Sequence, residues 1–437
     1  LLDQEVAFSM NVRSWLFALA LAGGLHAFQP PQGPPPAGGP PPGGLRNVPI
    51  QYAGPGKDLT EPVAPGIGFS QRGFMRDGKP FTLQVLDVDP ANPAVTVLPV
   101  HATDQAAGRE TTSSMAKRYG ATAAVNGGYF FMRGPFDGAS TGVYQLNRTI
   151  LSSGDTRTAL LFCEPGSAPA RTAVSPAPFH GTITAEGGAT LAVSGVNRKL
   201  ETDELVVYNP ALGALTPASS VAGVEVAVDA AGRVVGSKES TGGTVIPRGG
   251  FVVAASGKAA EWLRGKTTLH VDLSLEPSTA AGKACKPTDI VGAGPLLVRD
   301  GKVEVTEEKF DHAVTRHPRT AFAVTKQGHF LFVTVDGRQS SSVGMTLAEW
   351  ADELLSMGAV EAINLDGGGS TTMVVNGVIR NSPSDRRERT VSDALLIYSI
   401  PDLKSLAALA GRLDGAPVDP AQALRALGAA ARALAGR

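Results

Sequence analysis

The chain has 437 residues, 43% of them hydrophobic and 18% charged, which is ample material for a large core. A formal net charge of -1 offers no basic excess to gather phosphate backbones, so nucleic acid is excluded as an expected partner. Cys163 and Cys285 are the only cysteines, and neither they nor the seven histidines show zinc, thioredoxin-type, H-E-x-x-H or EF-hand spacing.

In chain order, Met10 makes a better start than Leu1. Arg13 precedes an apolar run over residues 15–25, and Ala27 follows, the shape of a signal peptide over residues 1–27. The run is too short to span a bilayer with ease, and an uncleaved anchor is the alternative. Residues 28–68 center on PPQGPPPAGGPPPGG, a linker composition that buries too little apolar surface to order itself. The expectation is a secreted, periplasmic or cell-envelope protein with no stable membrane span after cleavage. In such a protein Cys163 and Cys285 could pair; otherwise each is a small core residue.

Folded sequence is expected over residues 69–400 as one large α+β domain of mixed or antiparallel sheets with a few packed helices. Residues 81–88 and 95–100 read as strands, and Met115, Ala116 and Tyr119 have helical spacing before a strand at 121–125. That strand runs into Asn126, Gly127 and Gly128 of NGGYF. Between residues 175 and 281 short strands such as 205–208, 224–228 and 250–255 alternate with Gly, Pro, Asn and Asp, a strand-rich insertion. IVGAG at 290–294 lacks the spacing and following helix of a dinucleotide fingerprint. Strands are expected at 295–299, 302–305, 321–326 and 329–335, with turns at Asp300-Gly301 and Gln327-Gly328.

Thr346 and Glu349 stand in a capping-box relation, and Leu347, Trp350, Ala351, Leu354 and Leu355 form a helical stripe closed by Gly358. The next segment, AINLDGGGSTTMVVNG at 362–377, packs an apolar strand end, a polar turn and a hairpin with an Asn376-Gly377 turn into sixteen residues. Three glycines in a row imply close approach to the backbone. Two readings stay open here: a cup for an anionic or polyhydroxylated ligand, or a turn whose Asp366 caps its own backbone. The polar stretch at 382–393 precedes a last strand at 394–399, and residues 401–437 form an Ala/Leu-rich tail with an apolar helical stripe.

Taken together, AVNGGYF (124–130), GAGPLLVRDGK (292–302), HPRTAFAV (317–324), VDGR (335–338), the stretch from Gly344 through INLDGGGST, and PSD with ERTVSDALL resemble the phosphodiester glycosidase family. The insertion around 187–255 is similar to that of bacterial members. The resemblance implies hydrolysis of a sugar joined through its anomeric carbon to a phosphodiester, of the N-acetylglucosamine-1-phosphodiester type. The Pro-rich spacer fits an envelope or exopolysaccharide substrate.

A sugar 1-phosphodiester has an acidic leaving group, so the larger chemical need is to hold phosphate and stabilise positive charge at the ring. Arg319 and Arg338 are the expected phosphate ligands, with the N–H groups of Gly127, Gly128, Gly367, Gly368 and Gly369 and the hydroxyl of Ser370. Asp366 and Asp336 are the expected catalytic carboxylates. Asn126 and Asn364 are placed to bind hydroxyls or an acetamido group. Glu349, Asp385, Arg389 and His317 form a second tier; the capping box accounts for Glu349, and His317 reads as structural. No cofactor is required by the sequence, and calcium is a weak option without a ligand spacing to support it. The alternatives are a phosphodiesterase that breaks P–O, and a non-catalytic polysaccharide-binding module.

Overall fold

The computed structural model describes residues 58–155, 158–164, 171–305 and 311–401, together with Leu424. The expected signal peptide, most of the linker and almost all of the tail lie outside the described residues. Among the described residues no helix is long and apolar enough to cross a membrane.

The largest sheet has eight antiparallel strands in the order Leu59–Ala64, Ile67–Arg76, Lys79–Val88, Phe330–Val335, Arg319–Thr325, Ala359–Asn364, Leu296–Arg299 and Lys302–Val303. Its middle strands are buried on both faces, which is why they read as apolar runs rather than alternations. One face is covered by the helix Leu347–Ser356. Thr346 and Glu349 complete the reciprocal capping box there. Trp350, Ala351 and Leu354 pack against Leu83, Ala321, Val333 and Ala362.

Against the other face stands a second antiparallel sheet, ordered Val378–Ile379, Met373–Val375, Ala123–Asn126, Asp393–Ser399 and Val95–His101. Leu86, Phe322, Phe332 and Ile363 of the first sheet share one core with Val125, Met373, Leu395 and Ile397 of the second. The outer face of the second sheet is covered by the helix Thr112–Tyr119, and Leu424 packs in the same cluster. Asn376 and Gly377 both have positive φ, the geometry of the hairpin expected there.

A third antiparallel sheet, Thr172–Pro176, Thr158–Cys163, Pro287–Gly292, Val143–Leu146 and Thr149–Ser153, adds to the shared core through Tyr144, Leu160 and Val291. The insertion carries one three-stranded and one five-stranded sheet. Its own core is built from residues such as Val207, Val226, Val253 and Leu269. Cys163 and Cys285 form a disulfide with a sequence separation of 122, closing the loop that contains the insertion.

The fold corrects one boundary. Among the described residues the first strand starts at Leu59, ten residues before the expected Phe69, and Leu59–Ala64 pairs antiparallel with Ile67–Arg76. Its single proline, Pro62, is compatible with this because the strand is at the sheet edge, and Leu59 and Val63 pack on the shared core.

Strand register decides where the chemistry gathers. Arg319 pairs with Val335, and Ala321 pairs with Asn364, so one strand begins where its two neighbours end. From Asn364 the chain leaves the first sheet and enters the second at Met373. The Asp366–Gly369 turn is the crossover between the two layers.

Candidate active site

Four loops meet at this edge: residues 126–129, 317–319, 336–338 and 364–372, with a fifth, 381–389, laid across them. Asn126 lies at their center and is fully buried. Its Nδ2 donates to the Asp366 carbonyl at 2.7 Å, and its Oδ1 accepts from the Thr320 hydroxyl at 2.8 Å and the Thr372 N–H at 3.1 Å. The Asp366 N–H in turn donates to the Gly127 carbonyl at 2.9 Å. Asn126 was expected to meet substrate; with both polar atoms engaged inside the protein, it fixes the loops to one another.

The two glycines after it are also turned inward. The N–H groups of Gly127 and Gly128 donate to the carbonyl and the Oδ1 of Asp393, at 3.0 and 2.8 Å. A Cβ on Gly127 would sit 1.7 Å from that Oδ1, and one on Gly128 would sit 2.2 Å from the Gly292 carbonyl oxygen. Close packing explains these glycines, and their N–H groups are not free for a phosphate.

The Asp366 turn differs. Asp366 Oδ1 accepts from the Gly367 N–H at 2.9 Å, so the capping reading holds for one carboxylate oxygen, yet the residue keeps part of its surface open. Burial pushes its carboxyl up to about 6, restrained by the Ser370 hydroxyl, the Gly367 N–H and Arg389, while Asp393 nearby adds to the rise. The Gly368, Ser370 and Thr371 N–H groups are engaged by the Pro318, Gly367 and Gly368 carbonyls.

Arginines bracket the turn. A Cβ on Gly368 would lie 3.2 Å from the guanidinium of Arg338, so that group rests over the glycine. Arg338 is exposed, has a φ of +62° and pairs with no carboxylate among the described residues. Its Nη2 donates to His317 Nδ1 at 3.0 Å. Since arginine only donates, the imidazole proton belongs on Nε2. Burial lowers the His317 pKa, and the charges of Arg319 and Arg338 lower it further, so the ring is neutral at pH 7.

Arg319, 4% exposed, likewise has no carboxylate partner among the described residues. It donates to the carbonyls of Met345, His312 and Thr315 at 2.9, 2.6 and 3.1 Å. Burial brings its guanidinium down to about 10, with Tyr129 and Arg338 within electrostatic reach, and it stays charged at neutral pH. It therefore supports the positive field behind Arg338 while tying down the preceding turn.

On the other side, Arg389 Nη1 reaches Ser370 Oγ at 3.4 Å, and its Nε and Nη2 hold Asp385 Oδ2 at 2.9 and 2.8 Å. This pair lies flat against Gly369, where a Cβ would come within 2.1 Å of Nη2 and 2.3 Å of Oδ2. The loop that carries it is stapled at both ends. At one end Asp336 Oδ1 accepts from the Ser382 N–H at 2.8 Å, and its Oδ2 from Gln84 Nε2 at 3.1 Å. At the other end Glu388 accepts from the N–H of Ser113 at 2.7 Å, in the first turn of the helix Thr112–Tyr119, and from the Ser113 hydroxyl.

Asp336 was expected as the second catalytic carboxylate. It is 2% exposed with both oxygens engaged, so its geometry is that of an anchor for the 381–389 loop. Burial pushes its carboxyl up to about 7 against the Ser382, Gln84 and Asn381 hydrogen bonds. Glu349 is held in its capping box and by Arg316, outside this group.

Asn364 does lie at the site. Its Nδ2 donates to the Tyr129 hydroxyl at 2.7 Å and to the Leu365 carbonyl at 2.7 Å, while its Oδ1 is buried without a partner. Tyr129, which donates to the Gly294 carbonyl at 2.7 Å, and Asp393 are members that sequence reasoning missed. Asp393 had a signal: strand alternation puts it on the core-facing side with Leu395 and Ile397, where a charge needs a reason. Burial pushes its carboxyl up to about 6, and Ser392 and Gly128 hydrogen bonds hold it in place. Among the described residues no group of three or more His, Cys, Asp or Glu is arranged to hold a metal ion.

Known proteins are similar to this chain over part of its length. Residues 222–398 match the phosphodiester glycosidase family. That span includes Arg319, Arg338, Asp366, Asp385, Arg389 and Asp393, and leaves Asn126 and Tyr129 outside. Over 110 residues the chain is 38% identical to an uncharacterised SPbeta prophage-derived protein of Bacillus subtilis strain 168, covering 25% of this chain and 17% of that one. Over 67 residues it is 46% identical to the N-acetylglucosamine-1-phosphodiester alpha-N-acetylglucosaminidase of Bos taurus, covering 15% and 12%. The matched stretches span no more than 20% of the length of these curated relatives. A crystal structure from Burkholderia pseudomallei K96243, described as of an exported protein, superposes with a TM-score of 0.65 at 27% identity, covering 74% of each chain. The phosphodiester glycosidase family is thus what residues 222–398 of this chain are similar to.

Proposed function

We propose that the chain is an exported hydrolase that cleaves the glycosidic bond of a sugar 1-phosphodiester, of the N-acetylglucosamine-1-phosphodiester type, on envelope or exopolysaccharide material. The observation that carries this reading is the placement of Arg338 and Arg389 on either side of a glycine turn whose carboxylate, Asp366, keeps an open surface. Export is supported by the Cys163–Cys285 disulfide, which persists in oxidising compartments.

In this reading Arg338 and Arg389 bind the phosphate oxygens, and Arg319 adds positive potential from behind. The phosphate leaves as a stabilised anion, so no strong general acid is needed at the bridging oxygen. Asp366, ionised at neutral pH, faces the anomeric carbon as nucleophile or as base for water. Tyr129, partly exposed beside this turn, is placed to meet the sugar, and the buried Asn364 holds its hydroxyl in position.

The test is release of free sugar from an N-acetylglucosamine 1-phosphodiester by the purified chain, beside Asp366→Asn and Arg338→Ala. The expected outcome is turnover that Asp366→Asn abolishes and whose KM Arg338→Ala raises, both variants keeping the wild-type melting temperature. Turnover indifferent to Asp366→Asn would remove that residue from the chemistry. A folded wild type inert on a panel of sugar phosphodiesters would leave a binding module.

A further inference from the structure

The Arg389–Asp385 pair has an unusual setting. Both residues belong to the loop stapled by Asp336 and Glu388, and their charged ends occupy the space that any side chain at position 369 would fill. Arg389 spends Nε and Nη2 on a single oxygen, Asp385 Oδ2, and only Nη1 reaches toward Ser370. The edge of a guanidinium that best fits a phosphate is therefore occupied by a carboxylate, directly over the turn that carries Asp366.

We propose, resting on the anion-binding reading of this site, that Asp385 is an internal substitute for the substrate phosphate. In the free protein its carboxylate holds the Nε/Nη2 edge of Arg389; a bound phosphodiester takes that edge, and Asp385 turns out to solvent. Three features make the exchange feasible. Asp385 is exposed, so the released carboxylate is rehydrated at once. Partly exposed ion pairs are weak, which keeps the competing contact from outbidding a phosphate. The backbone that carries Arg389 is fixed by Ser382 and Glu388, so the guanidinium stays in place while its partner changes.

The exchange also confers selectivity. An anion must offer Arg389 more than a carboxylate does, and a phosphodiester offers two free oxygens to the fork while also meeting Arg338. Ligands with a lone carboxylate gain nothing over Asp385.

The experiment is titration of the full chain with inorganic phosphate, and separately with acetate, for wild type, Asp385→Asn, Arg389→Ala and the double variant. Asp385→Asn is expected to tighten phosphate binding by up to about fivefold, the ceiling set by exposed ion pairs. It is also expected to let acetate compete, and to have no effect in the Arg389→Ala background. Weaker phosphate binding in Asp385→Asn would overturn the proposal and make Asp385 an orienting partner of Arg389. An equal effect with and without Arg389 would overturn it in favour of general charge. Failure of every protein to bind phosphate would instead overturn the anion-site reading beneath it.

Discussion

The turn after Ala123–Asn126 and the turn after Ala359–Asn364 are near twins in sequence, each an apolar strand followed by a polar residue and consecutive glycines. In the first, the side chain of Asn126 and the N–H groups of Gly127 and Gly128 are all consumed by Asp366, Thr320, Thr372 and Asp393. In the second, Arg338 and Arg389 crowd the glycines from outside, and Asp366 keeps an open face. One loop is the frame and the other is the working surface. The same glycine signal therefore reports two different needs, close backbone packing and ligand approach, and only the identity of the neighbours separates them.

Substitutions on the two sides should part company, and the largest effect belongs to the open loop. Asp366→Asn is expected to lower sugar release by about 10²–10⁴-fold with no loss of thermal stability, read by steady-state kinetics beside calorimetry. A parallel fall in melting temperature would make it a frame residue instead. On the closed loop, Gly127→Ala drives a methyl into Asp393, and Asn126→Ala strands the Thr320 and Thr372 donors. Each should destabilise the fold by about 1–3 kcal/mol in denaturant titration. A neutral result in both would dissolve the distinction.

Gly369→Ala sharpens the comparison, because the atoms it meets are the movable ends of Arg389 and Asp385 rather than a fixed core. It should reduce kcat/KM by about tenfold, the loss of one charge-assisted hydrogen bond, and leave stability within about 0.5 kcal/mol. The smallest effect is graded by pH. The Asp366 carboxyl titrates at about 6 and is needed ionised, so kcat/KM should fall as pH drops through 6 and level off above it. A profile flat from pH 5 to 8 would show that this carboxyl is not the titrating group.

Much of the frame was legible in sequence. The capping box at Thr346, the Asn376-Gly377 hairpin and the buried strands of the large sheet depend on local spacing, and they stand where that spacing puts them. The meeting of Asp366, Arg338 and Arg389 in one place depends on register across two sheets, which no local pattern carries. For that reason Asp336 looked like a second catalytic carboxylate: it ends a strand beside Gly337 and Arg338 much as Asp366 does. Only the approach of Gln84 and Ser382, from distant segments, reveals it as an anchor. Asp393 escaped notice for the opposite reason, since its partner Gly128 lies 265 residues away.

In the proposed reaction the site breaks the bond between the anomeric carbon and oxygen. Hydrolysis of an N-acetylglucosamine 1-phosphodiester in ¹⁸O-enriched water, with mass analysis of the released phosphomonoester, tests it most directly. The prediction is a phosphate free of ¹⁸O, because water attacks carbon. One ¹⁸O atom in the phosphate would mean attack at phosphorus, and the chain would be a phosphodiesterase using the same arginines for a different bond.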